Sequence, residues 1–357
     1  SSGREDWFGA KKIYDSDEKF ILVNSFIEIS DIKKACEVLN KVVINSPFQK
    51  SSSYSNIYKS NIFFKREDLQ NVRSFKIRGA FNKISALDKN QTKNGIVCAS
   101  AGNHAQGFAV SCSTLGYKGI VFMPTTTPNQ KIQQVKKFGK NNIEVVLFGE
   151  NFTQAYEKAL EECKKYNKIF IHPFDDKKVI TGQATVFYEI LNQSKFTLDY
   201  LFIPIGGGGL ISGAINVFKQ LSPTTKIIGI EPTGAPSMSK SIKNNKLITL
   251  DKIDGFVDGV AVKKVGNLSF DYCKKFLDDI VILEENEICN SILELLDYEN
   301  IIAEPAGAMS SASLRHYKNE IIGKNVGCII CGGNNDNSRM PEIKKRANNW
   351  KINNPNY

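Results

Sequence analysis

Lys76 stands between Phe75 and Ile77, and Gly206-Gly207-Gly208-Gly209 opens a helix-like run at Leu210. These two features call for two kinds of chemistry. A lysine desolvated among apolar neighbours has a lowered pKa and can condense with an aldehyde as a Schiff base. Four successive glycines after the strand-like run 200–205 expose bare N–H groups at the positive end of a helix, where a phosphate fits. The spacing is not G-x-G-x-x-G, and no Gly-Lys-Ser/Thr follows, so a single phosphomonoester is the group indicated. Each feature has a bland alternative, a solvated surface lysine for one and a flexible turn for the other. An aldehyde that carries a phosphomonoester satisfies both, and pyridoxal phosphate is such a molecule.

The elements that must position these residues are legible as alternating patterns. Lys76 falls at the start of a helix whose apolar face is Ile77, Phe81, Ile84 and Leu87, with Ser74 as a candidate N-cap. Strands are predicted at 95–100, 119–124, 144–148, 169–173, 200–205, 226–231, 279–283 and 326–331. Helices are predicted at 105–115, 129–138, 152–166, 179–193 and 210–221. This alternation predicts an α/β fold with parallel sheets covered by helices on both faces. The polar tail 348–357 is expected to fray.

Five segments, in order and spacing, resemble the threonine dehydratase family within the second fold type of pyridoxal-phosphate enzymes. They are Ser74-Phe75-Lys76-Ile77-Arg78-Gly79-Ala80, Ser100-Ala101-Gly102-Asn103-His104-Ala105-Gln106-Gly107, Gly206 to Leu210, Glu304-Pro305-Ala306-Gly307-Ala308, and Cys331-Gly332-Gly333-Asn334-Asn335-Asp336. The match runs from around Pro47 to around Ile343. The stretch 73–80 and Arg339-Met340-Pro341-Glu342-Ile343 look most like the biosynthetic branch, which makes 2-oxobutanoate for isoleucine. The resemblance implies two open, mostly parallel sheets with the cofactor in a cleft between lobes. A small mobile lobe, 87–166, would be inserted in a large cofactor-binding lobe made of 1–86 and 167–357.

The resemblance also implies roles. Lys76 would anchor pyridoxal phosphate covalently and later act as the base at Cα, with Phe75 packed near the ring. Gly206, Gly207, Gly208, Gly209 and Leu210 would hold the phosphate. Asn103 would meet the cofactor's 3′-oxygen, plain helix capping being the alternative. Ser100, Ala101, Gly102, Asn103 and His104 would place the substrate carboxylate on a helix N-terminus. Gly259 would lie on the cofactor face. Glu304 would lie near the ring-nitrogen end, unless it is only a helix-start carboxylate. Cys331 would meet the ring nitrogen, where serine is commoner; a buried structural thiol is the alternative. Ala101 replaces the serine that serine racemases use on the opposite face, so racemisation should be poor. Glu231 and Ala235 match a racemase cation site, but Ser237 replaces its aspartate. That speaks against a divalent ion, leaves a monovalent cation open, and assigns no metal ligand.

The bulk properties narrow the classes. The net charge of +10 is spread over helix faces without a basic-aromatic stripe, so a nucleic-acid partner is not expected. The eight cysteines show no paired zinc spacing and read as reduced cytosolic thiols. No apolar run reaches membrane-spanning length. Ser1-Ser2-Gly3 reads as an expression remnant, which leaves a removed organellar targeting peptide open. The segment after Ile343 is too short for the regulatory domain of biosynthetic relatives. The expected protein is a cytoplasmic threonine ammonia-lyase, a homo-oligomer (dimer or tetramer) acting on a small amino acid. A serine dehydratase or racemase of the same fold, and a non-catalytic ligand binder, are the rivals.

Overall fold

The computed structural model describes residues 26–355. Ser1-Ser2-Gly3, the rest of 1–25 and the last two residues of the tail lie outside them. The larger sheet has six strands in spatial order β1 (Phe48–Lys50), β2 (Asn61–Arg66), β10 (Asn325–Ile330), β7 (Tyr200–Pro204), β8 (Lys226–Pro232) and β9 (Asp279–Leu283). β1 is antiparallel to β2, pairing Phe48 with Lys65, and the other pairs are parallel. The smaller sheet has four parallel strands in the order β5 (Ile143–Leu147), β4 (Gly119–Met123), β3 (Ile96–Ala99) and β6 (Ile169–Phe170). This is the α/β architecture that the alternation predicts.

Strand periodicity explains how the smaller sheet is covered. Ile96 and Cys98 face α4 (Asn103–Leu115) through Ala105, Phe108 and Cys112, whereas Val97 and Ala99 face Ala155 and Ala159 of α6 (Phe152–Tyr166). Both faces are therefore buried, which is why β3 reads as an unbroken apolar run. The crossover from β4 to β5 is α5 (Asn129–Gly139). Every residue of β7 is buried likewise, under α8 (Gly209–Leu221), on which α7 (Lys177–Gln193) packs in turn. Each fully buried Ile, Leu or Val contributes about 1.5–3 kcal/mol relative to exposure.

Three expectations need correction. The four-stranded sheet does not stop at residue 166, because β6 at Ile169–Phe170 pairs with β3. β6 in turn ends at Phe170 and not at 173. Pro173 has no N–H to give a ladder, and His172 Nδ1 accepts the N–H groups of Phe174 (3.2 Å) and Asp175 (2.8 Å), which turns the chain. The tail is helical as far as Asn353: α13 (Met340–Asn353) buries Ile343, Ala347 and Trp350 on one stripe. The Arg315 guanidinium lies 4.7 Å from the Trp350 ring centroid.

Before the first predicted helix come α1 (Ile29–Leu39) and α2 (Ser52–Tyr58), then β2 and a 3₁₀ turn at Glu67–Leu69. The next helix, α3 (Lys76–Ser85), carries the candidate lysine on its first position. Ile77, Phe81 and Ile84 are buried, as the spacing predicts. Its first turn is clasped at close range. A Cβ on Gly107 of α4 would come 3.0 Å from Ile77 N, and one on Gly182 of α7 would run into the Arg78 carbonyl.

A buried charge network fixes the same turn from behind. Arg78 is fully buried and donates from Nε and Nη2 to Glu67 at 2.8 and 2.7 Å. It also donates to Glu189 of α7 at 2.7 and 2.9 Å and to Thr185 at 3.1 Å. Lys65 of β2 completes the set, reaching Glu189 and the Ser46 carbonyl at 2.7 Å each. Burial alone would push the Glu67 carboxyl up, but the Arg78 guanidinium outweighs it and holds the group below the usual carboxylate range. Among the described residues no helix is long and apolar enough to cross a membrane.

Candidate active site

Lys76 is placed by the segment before it. Arg73 adopts a left-handed backbone (φ 58°), and its carbonyl accepts from Gly333 N at 2.8 Å. Ser74 forms an antiparallel bridge with Gly332, and Phe75 N donates to the Cys331 carbonyl at 3.2 Å. Ser74 is thus not the helix cap that the sequence suggests. Phe75 occupies the cap position, and the Ser74 hydroxyl is buried without a partner. These links seat Lys76 at the carboxyl end of β10. Its ammonium donates to the Pro173 carbonyl at 3.0 Å and lies 5.4 Å from the Phe75 ring centroid. Burial lowers the amine's pKa to about 8, while Cys331 and Glu304 pull it upward.

The glycine turn lies at the carboxyl end of β7. Gly208 is the left-handed N-cap of α8 (φ 93°), and the first N–H groups of a helix have no acceptor of their own. Phe174 packs so close that a Cβ on Gly207 would enter its ring. The Gly207 carbonyl accepts from Gly266 N at 2.9 Å, at the start of α10 (Asn267–Phe276). Asp175 caps that helix, accepting from Asn267 N and Leu268 N at 3.0 Å each. Ser269 is fully buried beside Gly208, and its hydroxyl has no partner.

Ser100 to His104 form the turn from β3 into α4, with Ser100 Oγ accepting from Gly102 N at 3.1 Å. Ala101 and Gly102 are half-buried. The Asn103 side chain does not cap its helix; its Nδ2 donates to Glu304 Oε1 at 2.8 Å, and its Oδ1 accepts from Asn334 Nδ2 at 2.8 Å. His104 is buried and donates from Nε2 to the Ile171 carbonyl at 2.9 Å. Burial first, then the Lys76 charge, pushes its pKa down to about 3, so the ring is neutral.

Glu304 precedes Pro305 at the start of α12 (Pro305–Ser313), yet its carboxylate does not cap that helix. It accepts from Asn103 and, at 2.9 Å, from Asn334 N. Burial, and secondly Asp258, pushes the carboxyl up to about 7. Gly259 packs on this group: a Cβ there would lie 3.0 Å from Glu304 Oε1. The next residue, Val260, abuts Gly206, where a Cβ would lie 2.9 Å from the Val260 Cα. Cys331 is buried, and that burial, with Glu304 adding to it, raises its thiol well above the usual range. Two linked groups result. Lys76 and the glycine turn meet at Pro173-Phe174, whereas Asn103, Glu304 and Gly259 meet near Cys331.

Glu231, matched to a cation site in the sequence, is buried and accepts from Met238 N (2.6 Å) and Ser239 N (2.9 Å) of α9 (Ser237–Lys243). Ser237 donates to the Val262 carbonyl at 2.5 Å. Among the described residues no group of three or more His, Cys, Asp or Glu could hold a metal ion.

Sequence reasoning missed the turn His172-Pro173-Phe174-Asp175-Asp176. It contacts Lys76 and the glycine turn and caps both α10 and α7, the latter through Asp176 and Lys178 N at 2.7 Å. The available signal was a proline, an aromatic and two acids bunched at a strand's carboxyl end. Gln106, 3.3 Å from Asn334 Nδ2, was also passed over.

The chain is similar to proteins of known name. The family described as pyridoxal-phosphate dependent enzyme matches residues 39–332. A biosynthetic L-threonine dehydratase of Halalkalibacterium halodurans is 53% identical over 321 residues, 90% of this chain and 77% of that protein. The Bacillus subtilis enzyme of the same name is 50% identical, covering 91% and 77%. The structure of a processed threonine deaminase isoform 2 from Solanum lycopersicum superposes with a TM-score of 0.86 at 39% identity, covering 94% of each chain. Maize serine racemase follows at 0.82 and 28% identity, covering 91% of this chain and 99% of that one. With a family match over most of its length and relatives at this identity, the chain belongs to the pyridoxal-phosphate dependent enzymes.

Proposed function

We propose that the chain is a lyase that converts L-threonine to 2-oxobutanoate and ammonia, and L-serine more slowly to pyruvate. The observation that carries the reading is Lys76, a half-buried amine held on the Pro173 carbonyl with its pKa lowered to about 8. Threonine as substrate, and a biosynthetic role in supplying 2-oxobutanoate for isoleucine, are supported by the names of relatives that are 53% and 50% identical.

The residues fit pyridoxal phosphate. The amino end of α8, built from glycines with the orphan Ser269 hydroxyl beside it, suits a phosphate. Lys76 offers a poised amine for the aldehyde. When bound, the cofactor supplies an electron-withdrawing ring that makes the substrate's Cα–H acidic. Lys76 in its neutral form takes that proton, and a pKa near 8 keeps a usable neutral fraction. The N–H groups at the start of α4, after Ser100–Gly102, bind the substrate carboxylate. Ala101 has no proton to give, so it would not reprotonate Cα from the opposite face.

Steady-state assays on L-threonine, L-serine and D-serine test this. Faster turnover of serine than threonine, or D-serine appearing at a rate rivalling pyruvate, overturns the reading.

Two variants probe the site. Gly207→Ala forces its Cβ into the Phe174 ring. Overpacking of about 1–3 kcal/mol lowers cofactor affinity by roughly tenfold. Titration of the apoprotein with pyridoxal phosphate reads it, with Gly255→Ala, where a Cβ has open space, as the unaffected control. Cys331→Ser keeps turnover within about threefold, because a hydroxyl is as weak an acid–base partner as the thiol. Cys331→Asp lowers turnover. An aspartate variant that matches the parent removes Cys331 from the site.

A further inference from the structure

The Gly259 turn is held on the side of the six-stranded sheet. The Phe256 ring lies between Arg339 and Arg346 of the carboxyl-terminal region, 4.6 and 4.1 Å from their guanidinium carbons. Arg339 also donates to the Phe256 carbonyl at 2.5 Å and lies 3.7 Å from Asp258 Oδ1. From the other sheet, Lys131 in the first turn of α5 reaches Asp258 Oδ2 at 2.8 Å. This charged contact joins an element of the four-stranded sheet to the residue next to Gly259, which itself packs on Glu304.

We propose that Lys131 and Asp258 are a positioning pair for the candidate site: their contact holds α5 on the Gly259 turn and balances the charge that Glu304 faces. The inference rests on the pyridoxal-phosphate site described above. Glu304 is faced by Asp258, which raises its proton affinity, and by Lys131, which lowers it. Lys76 on α3 and Cys331 after β10 face it as well, and Asn103 and Asn334 give it neutral hydrogen bonds. With the pair formed, the Lys131 and Asp258 fields oppose each other at Glu304. Losing either one unbalances the field at Glu304, less so for the loss of Lys131 because Arg339 still lies 3.7 Å from Asp258, and salt weakens both effects because the pair is partly exposed.

The test uses the holoenzyme and the variants Lys131→Met, Asp258→Asn and the double. The absorption spectrum of the bound cofactor is titrated with pH without substrate, and kcat/KM for L-threonine is measured over the same range. Lys131→Met moves the spectral midpoint upward and Asp258→Asn moves it downward, each by up to about half a pH unit. The double variant returns towards the parent, high salt shrinks the differences, and Asp258→Glu restores the midpoint. KM rises several-fold in both single variants with a smaller change in kcat. A purely structural contact moves both midpoints the same way or not at all, and either outcome overturns the proposal. If Asp258→Asn fails to fold, Lys131→Met decides alone: an upward shift supports the pair and no shift refutes it. The spectral titration needs no turnover, so its failure is separable from a wrong substrate.

Discussion

Lys76→Ala lowers kcat on L-threonine to below about a hundredth of the parent value while the fold persists. One nitrogen carries both proposed duties, anchor and base, so no neighbour can take over either. The nearest other candidates are unsuited. His104 is neutral and tied to the Ile171 carbonyl, and His172 spends its Nδ1 on two backbone N–H groups. The fold is expected to persist because Lys76 is half-buried and its ammonium makes a hydrogen bond to one backbone carbonyl, that of Pro173. Borohydride treatment followed by peptide mapping gives a second readout. It labels the peptide containing residue 76 in the parent and leaves the variant unlabelled. Retention of more than about a hundredth of parental kcat would refute the assignment of Lys76.

Arg78→Met costs about 3–5 kcal/mol of stability at neutral pH, because it leaves Glu67 and Glu189 without their shared cation. The pH dependence gives a second signature. In the parent, Glu67 is held below its ordinary pKa, so its contribution is present above the unfolded carboxylate range and is lost as pH falls through the folded value. In the variant the guanidinium is gone, and burial pushes the carboxyl up against Lys65 and Ser46 alone, so this contribution shrinks. The gap between parent and variant is widest at neutral pH and narrows towards pH 4–5. Thermal unfolding of both proteins at several pH values measures it, and a gap independent of pH would show that the guanidinium is not what holds Glu67 ionised.

How much of this was legible beforehand depended on whether a residue's chemistry was local. β9 and α6 match the predicted bounds, because unbroken apolar runs and 3.6-residue stripes report burial directly. β2 was passed over. It carries Lys65 and Arg66, and nothing in its own composition reveals that Lys65 is neutralised by Glu189, far along the chain. Trp350 on the polar tail was likewise misjudged, since its partner Arg315 comes from another element. Within the site, Lys76 and the glycine turn announce themselves by what their neighbours lack. The Pro173 carbonyl and Phe174 do not, because a backbone acceptor and a packing ring gain meaning only from what folds against them. Ser74 was assigned a cap by residue type, and pairing with Gly332 overrode that preference.

The place of β10 in the larger sheet has a consequence for how the chain is made. β10 lies between β2 and β7, although it is the last strand in sequence among the described residues. Until residues 325–330 are available, the β1–β2 pair and the β7–β8–β9 group each expose an unpaired edge facing a gap. The residue after β10 is Cys331, whose carbonyl holds Phe75, so Lys76 cannot be seated earlier either. Nascent chains that stop before β10 thus present two sticky edges and no cofactor site. Synthesis of this protein keeps its main sheet divided, and dependent on protection from aggregation, until residues 325–330 have emerged.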